Sequence, residues 1–258
     1  MPNVSEAMKA SSLSTLTITV VYDNNAGNAD LETAWGFSCV IQGLEETILF
    51  DTGGNGDILL TNMQKVGIDP EEVDLVVLSH IHGDHVGGLA DFLKKNKEVN
   101  VYLPHSFPTS LKNDVKHIGA TVAEVQESLK ISRQVYSSGE LGTSIKEQAL
   151  IVQTAKGLII ITGCAHPGIV NMVERTREIM RDDVLLVMGG FHLGGHSMGA
   201  LEKIVSDFKA LGVQYVGPCH CSGDMARQAF KHAYQAHFIP IGVGTVIALE
   251  DIIATGKE

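Results

Sequence analysis

The sequence has no apolar run of the roughly 18 residues that a bilayer-spanning helix requires, and every long run is broken by Gly, Asp or His. Mean hydropathy is only +0.12. The first residues, MPNVSEAMKASSLS, lack both a basic stretch and the apolar block of a secretory signal. They read as a flexible, solvated leader over 1–14, and the expected compartment is the cytoplasm, with no membrane partner. Positive charge is scarce: 19 Lys and Arg stand against 30 Asp and Glu, a formal charge of -11. No basic cluster is placed to grip a phosphate backbone, which argues against duplex nucleic acid as a partner. The four cysteines, Cys39, Cys164, Cys219 and Cys221, are too few and too irregular for a disulfide framework, and the closely spaced C-x-x-C pairs of common iron-sulfur proteins are missing. Buried, inert thiols are the expectation. A Pro- or Ser-rich linker is also lacking, so residues 15–258 are expected to close around one large core.

What is present is an alternation of short β-branched runs with helical patterns. LTITVVYD, GFSCVI, ETILFD and VDLVVLS read as strands, with a helix from about Asp57 to Val66. Helices are expected near Gly87–Lys95 and Pro108–His117, around the strand VNVYLP, before a strand-rich middle from Thr121 to Thr154. The second half resumes with GLIIIT, DVLLVM, QYVG and FIPIGVG, separated by helices near Pro167–Met180, Met198–Leu211 and Met225–Tyr234. This is α/β logic.

Sliding the sequence by 110 positions superposes Thr52-Gly53 on Thr162-Gly163, Leu75 and Val77 on Leu185 and Val187, and His82 on His192. Each half then reads strand, T-G turn, helix, apolar strand, His-bearing loop. A real repeat would bring the C-terminal ends of both strand sets to one edge.

The densest chemistry lies in LSHIHGDHVGG, which places His80, His82, Asp84 and His85 within six residues directly after an apolar strand. His80 and His82, two apart in extended backbone, point to one side and can grip one ion. Asp84 and His85 follow the turn at Gly83 and can face a second ion, or the other side of the first. Mixed imidazole and carboxylate suit zinc, iron or manganese rather than calcium or magnesium.

On these residues the chain resembles the metallo-β-lactamase superfamily, whose signature H-x-H-x-D-H follows a strand. The resemblance implies an α/β fold of the four-layer αββα sandwich type. It matches Asp51 in ILFDTGG to a carboxylate that supports the metal site from behind, His166 in TGCAHPGIV to the single-His motif, and His220 in GPCHCSGD to the final His. By that resemblance one ion would take His80, His82 and His166, and the other Asp84, His85 and His220. The details GCAHPG, GGFHL and PCHCSG are most similar to a branch that includes the dihydropterin synthase of methanopterin assembly, without transferring a substrate.

One departure stands out. Where many superfamily hydrolases carry a metal-bridging Asp after the strand matching DVLLVM, this chain reads GGFHLGGH. His192 becomes a candidate ligand or substrate-facing acid, and His196 is expected in solvent. In extended backbone the neighbours of His220, Cys219 and Cys221, would point away from the metals, and Cys164 alone shares the side of His166. Pro167 suits the first turn of a helix whose free N–H groups could hold an anionic substrate group, and Ser222 with Asp224 would open another helix in the same way. Asp51-Thr52-Gly53 does not indicate an aspartic protease, because no second D-T-G supplies the partner carboxylate. The expected activity is hydrolysis by a metal-activated hydroxide at a binuclear site, with two divalent ions, zinc foremost and iron or manganese as alternatives. Asp84 and His192 would be the catalytic groups, acting on a small, possibly anionic ester, phosphoester or lactone-type substrate. An iron redox protein, a pterin-type transferase and a non-catalytic sensor remain alternatives.

Overall fold

Strands covered on both faces carry no polar side, and this chain's central strands are of that kind. In the computed structural model, which describes residues 16–255, GLIIIT and VLLVMGG are buried at every position. The expected leader, 1–14, lies outside the described residues. The first half runs β1 (Thr17–Asp23), β2 (Phe37–Gln42), β3 (Ile48–Phe50), α1 (Gly56–Lys65), β4 (Leu75–Val77), α2 (Gly83–Val86), α3 (Leu89–Lys95), β5 (Asn100–Pro104), α4 (Thr109–Ile118) and β6 (Thr121–Val125). The second runs β7 (Leu129–Lys130), β8 (Val135–Ser137), β9 (Leu150–Thr154), β10 (Gly157–Thr162), α5 (Ile169–Met180), β11 (Val184–Gly190), α6 (Met198–Ala210), β12 (Tyr215–Cys219), α7 (Asp224–Tyr234), β13 (Val246–Ala248) and α8 (Leu249–Thr255).

The strands form two sheets, ordered β13-β1-β2-β3-β4-β5-β6 and β12-β11-β10-β9-β8-β7. Three apolar clusters mark the layer boundaries. Ile18, Val20, Phe50 and Val77 meet Leu150, Ile159, Ile161 and Met188 between the sheets. On one outer face Leu49, Val76 and Val101 pack against Leu59, Phe92 and Val115 of α1, α3 and α4. On the other, Ile160, Val187 and Val216 pack against Met172, Leu201, Phe208 and Phe230 of α5, α6 and α7. The architecture is the expected αββα sandwich.

The 110-position correspondence has a structural counterpart. β3 and β4 are parallel neighbours joined through α1, and β10 and β11 are parallel neighbours joined through α5. The matched threonines do matched work: Thr52 Oγ1 donates to the His85 carbonyl at 2.9 Å, and Thr162 Oγ1 donates to the Gly190 carbonyl at 2.9 Å. Asp51, His80, His166, His192 and His220 all follow the C-terminal ends of strands, in β3, β4, β10, β11 and β12 order.

Several expected elements differ. The Gly87–Lys95 helix begins at Leu89 and is preceded by a separate short helix over Gly83–Val86; between them the chain passes close to the first sheet, where a Cβ on Gly88 would stand 2.2 Å from the Thr52 carbonyl oxygen. FIPIGVG forms isolated bridges through Phe238 and Val243 rather than a strand, and β13 lies beyond it. Pro167 is not in a helix; α5 begins at Ile169, after Gly168 at φ +92°. Ser222 does not cap α7 either. Its hydroxyl donates to the Cys219 carbonyl and accepts from Phe191 N–H, tying β12 to the β11 loop.

Candidate metal centre

Asp51 is fully buried and must find donors. Its Oδ1 accepts from Ser79 N–H at 2.7 Å; its Oδ2 accepts from the Ser79 hydroxyl at 2.7 Å and faces His85 Nδ1 at 2.7 Å. An acceptor-only carboxylate fixes the protons around it. His85 carries hydrogen on Nδ1, which leaves Nε2 with a lone pair. Because the Ser79 proton goes to Asp51, Ser79 Oγ accepts from His80 Nδ1 at 2.9 Å, and His80 Nε2 is left with a lone pair as well.

That nitrogen meets two others. His82 Nδ1 lies 3.1 Å from His80 Nε2 and 3.2 Å from His166 Nε2. Tetrahedral ligands at about 2.05 Å from zinc stand about 3.3 Å apart, so the three rings are already spaced to hold one ion. Asp84, His85 and His220 form a second set. Asp84 Oδ2 is 3.6 Å from His85 Nε2 and 3.3 Å from His220 Nε2. His220 Nδ1 faces Asn24 Oδ1 at 2.9 Å, while Asn24 Nδ2 donates to the His220 carbonyl, so the orientation of the amide is fixed. With Nδ1 engaged, the neutral ring would leave Nε2 bare, and Nε2 is a buried atom with no hydrogen-bond partner. A buried lone pair facing a carboxylate fits a cation between them. The rings of His80 and His85 are 4.2 Å apart by centroid, which sets the two groups side by side.

Electrostatics agree with ligand roles at His80, His166 and Asp84, whereas Asp51 favours the charged form of His85. Burial, then the neighbouring imidazoles of His85, His166 and His82, hold His80 far below its ordinary range. His166 is lowered to about 4 by burial, then by His192 and His82. For Asp84, burial is outweighed by His220 and His85, which keep the carboxylate ionised well below the usual range. Burial would also lower His85, but Asp51 outweighs it and the ring is raised.

His192 stands apart from both sets. Its exposed ring is 4.4 Å by centroid from that of His166, and hydrogen bonding to Cys221 raises its pKa against the opposing effect of burial. His196 is exposed, as expected. The thiols depart from expectation in one respect. Extended backbone would turn Cys221 away from the site, but His220 takes a left-handed φ of +46° and opens a 3-10 turn. Cys221 Sγ then lies 3.3 Å from Cys164 Sγ. The Cys164 contact draws Cys221 down to about 4, and the reciprocal contact raises Cys164. The Gly189-Gly190 pair permits this packing, since a Cβ on Gly190 would stand 2.8 Å from the Cys221 sulfur.

Sequence reasoning missed Glu147. Its Oε1 accepts from Gly163, Cys164 and Ala165 N–H at 3.1, 2.9 and 2.8 Å, and its Oε2 from His166 N–H at 2.8 Å. Burial raises its pKa against the pull of those amides. Nothing in SIKEQAL marks this residue, because the turn it organises is 16 or more positions away. Asn24 and Trp35 were missed for the same reason. Trp35 is 59% exposed with its ring 4.8 Å from that of His220.

The Metallo-beta-lactamase superfamily profile matches residues 36–202. The chain belongs to this superfamily. The matched span holds every candidate ligand except His220. Among relatives, the chain is 28% identical to 7,8-dihydropterin-6-methyl-4-(beta-D-ribofuranosyl)-aminobenzene-5'-phosphate synthase of Methanocaldococcus jannaschii, over 89% of this chain and 95% of the relative. Among solved structures it is similar to Tm1679, a metal-dependent hydrolase of the beta-lactamase superfamily, with TM-score 0.75, 29% identity and coverage of 90% and 98%. Human tRNase Z, short form, shares the fold at TM-score 0.63 and 16% identity, over 90% and 99%. No helix among the described residues is long and apolar enough to cross a membrane.

Glu147→Ala leaves three buried N–H groups and the half-buried one of His166 without their acceptor and is expected to cost about 3 kcal/mol or more in urea denaturation. Zinc titration should show weaker binding at the His166 set, with Glu147→Gln milder in both assays. Unchanged stability in Glu147→Ala would contradict the role given to this carboxylate.

The lowered His166 pKa carries a sign. The folded ring stays neutral where the unfolded one, with a pKa of about 6.5, is protonated. Its stabilising contribution is full above about 6.5 and is lost as pH falls toward about 4. Glu147 and Asp23, both raised by burial, act in the opposite sense, so the comparison is between variants. In chelator-treated protein, His166→Gln should show a smaller loss of thermal stability from pH 6.5 to 4 than the parent; equal losses would refute this.

Proposed function

We propose that the chain is a metal-dependent hydrolase with a binuclear centre, holding one divalent ion at His80, His82 and His166 and another at Asp84, His85 and His220. The observation that carries this reading is the convergence of ring nitrogens, with His82 Nδ1 3.1 Å from His80 Nε2 and 3.2 Å from His166 Nε2, and His220 Nε2 buried without a partner. Zinc is the ion these donors suit best, with iron or manganese as alternatives. Bound divalent ions lower the pKa of water toward neutrality and polarise a scissile carbonyl or phosphoryl oxygen.

The chain's own residues do the rest. Asp84, kept ionised by His220 and His85, accepts a hydrogen bond from the attacking water and orients it. His192, exposed and with a raised pKa, donates a proton to the leaving atom. Ser79, Asp51 and Glu147 hold the rings and the His166 turn in place and do not touch substrate. The substrate is a small ester, phosphoester or lactone-type molecule; a charge of -11 with no basic cluster disfavours duplex nucleic acid. A second reading, a pterin-type transferase, is supported by the end-to-end similarity to the methanogen synthase. Dependence of turnover on a second organic substrate separates the two.

The test combines metal content with a screen of phosphodiesters, lactones and thioesters. His80→Ala and His82→Ala should each lose at least one metal equivalent, and Asp84→Asn should keep the fold but lower turnover ~100-fold or more. Cobalt(II) bound beside His220 should quench Trp35, the chain's one tryptophan, and His220→Ala should abolish that quench. Full metal retention in both His80→Ala and His82→Ala would sink the site assignment.

A further inference from the structure

The second set of candidate ligands contains an atom that neither the motif nor the resemblance assigns. Cys164 Sγ lies 3.2 Å from His85 Nε2, and the donor atoms of Asp84, His85, Cys164 and His220 all fall within 4.8 Å of one another. The sulfur reaches this position because the 163–166 turn is clamped on Glu147, with Ala165 at φ +59°. Cys164 and His166, two residues of one loop, thus face different ligand sets. His85 Nδ1 is engaged by Asp51 and His220 Nδ1 by Asn24, so the Nε2 atoms of both rings face the group together with the Asp84 carboxyl. A single S–H can satisfy only one of three facing acceptors.

We propose that Cys164 is the fourth protein ligand of the ion held by Asp84, His85 and His220, giving that position two nitrogens, one oxygen and one sulfur. This rests on the two-ion reading above and deepens it. A thiolate biases the position toward borderline and soft divalent cations, such as zinc, iron(II) or cadmium, over manganese and magnesium. It also supplies the negative charge that a carboxylate on the β11 loop would bring, where this chain has His192. Coordination as the thiolate releases the Cys164 proton, and Cys221 Sγ packs 3.3 Å from the coordinating sulfur. Cys221 is not itself in the set; it packs in the space left by Gly190 and acts as a positioning residue.

The experiment is zinc K-edge X-ray absorption on the reduced, full-length protein loaded with zinc, paired with metal counting. Two equivalents of zinc with a Zn–S path near about 2.3 Å, about half a sulfur per zinc, is the expected result. Cobalt(II)-loaded protein should likewise show a near-ultraviolet sulfur-to-cobalt charge-transfer band. Cys164→Ser should lose both signatures and Cys221→Ser should keep them. Two bound equivalents without sulfur would overturn the Cys164 assignment and leave the two-ion reading standing; one equivalent without sulfur would overturn both. Signatures that survive in Cys164→Ser, or vanish in Cys221→Ser alone, overturn it too. Should Cys164→Ser fail to fold, the wild type and Cys221→Ser decide between them: sulfur in both supports the proposal, and sulfur in neither or in the wild type alone refutes it. None of these readouts needs turnover, so failure of the hydrolase reading is scored separately.

Discussion

A carboxylate sealed from water dictates the bonding of whatever surrounds it, and Asp51 exerts that demand at the centre of this protein. Ser79 gives it two hydrogen bonds and His85 a third, so the end of β3, the end of β4 and the short helix α2 are fixed together. The same bonds decide which nitrogen of His80 and His85 is bare. Tautomer and ring direction are thus set by one buried charge before any ion is present, which is the part of a metal site that direct ligands alone do not determine.

Glu147 plays the corresponding part in the second sheet, but through backbone. Four consecutive amides from Gly163 to His166 converge on it, forming an anion cradle filled by the protein's own side chain. Left-handed backbone recurs at Asp51, Ala165, His192 and His220, each just past a strand end. Such conformations cost free energy for residues other than glycine, and they persist where surrounding bonds over-determine them. Asp51, Glu147, Ser222 and Asn24 provide those bonds.

How much of this was legible depended on sequence distance. The H-x-H-x-D-H cluster and the period of the strands are local patterns, so His80, His82, Asp84 and His85 and the α/β alternation could be read directly, while the sandwich, His166 and His220 came from the resemblance to the superfamily. The correspondence of Thr52 with Thr162 was visible as a letter match and proved to be a match of hydrogen bonds. Glu147 and Asn24 were not legible, because their roles are defined by partners 16 to 196 residues away. The orientation of Cys221 was misjudged for a different reason: alternation holds only in extended backbone, and the strand ends at Cys219. Pro167 and Ser222 carried the right residue types for helix starts, yet tertiary bonding gave each loop another conformation.

Both ligand sets draw on distant stretches of chain: His82 meets His166 across 84 positions, and His220 meets Asn24 across 196. During synthesis the His80–His85 cluster emerges well before its partners, and by itself it offers a cation only a loose, water-filled grip. The high-affinity geometry exists once β12 has joined the second sheet and the sheets have packed. In the proposed two-ion reading, ion capture would therefore come late in folding, as the pairing of remote segments does, and a nascent or partly folded chain would present a poor competitor for the cell's metal pool.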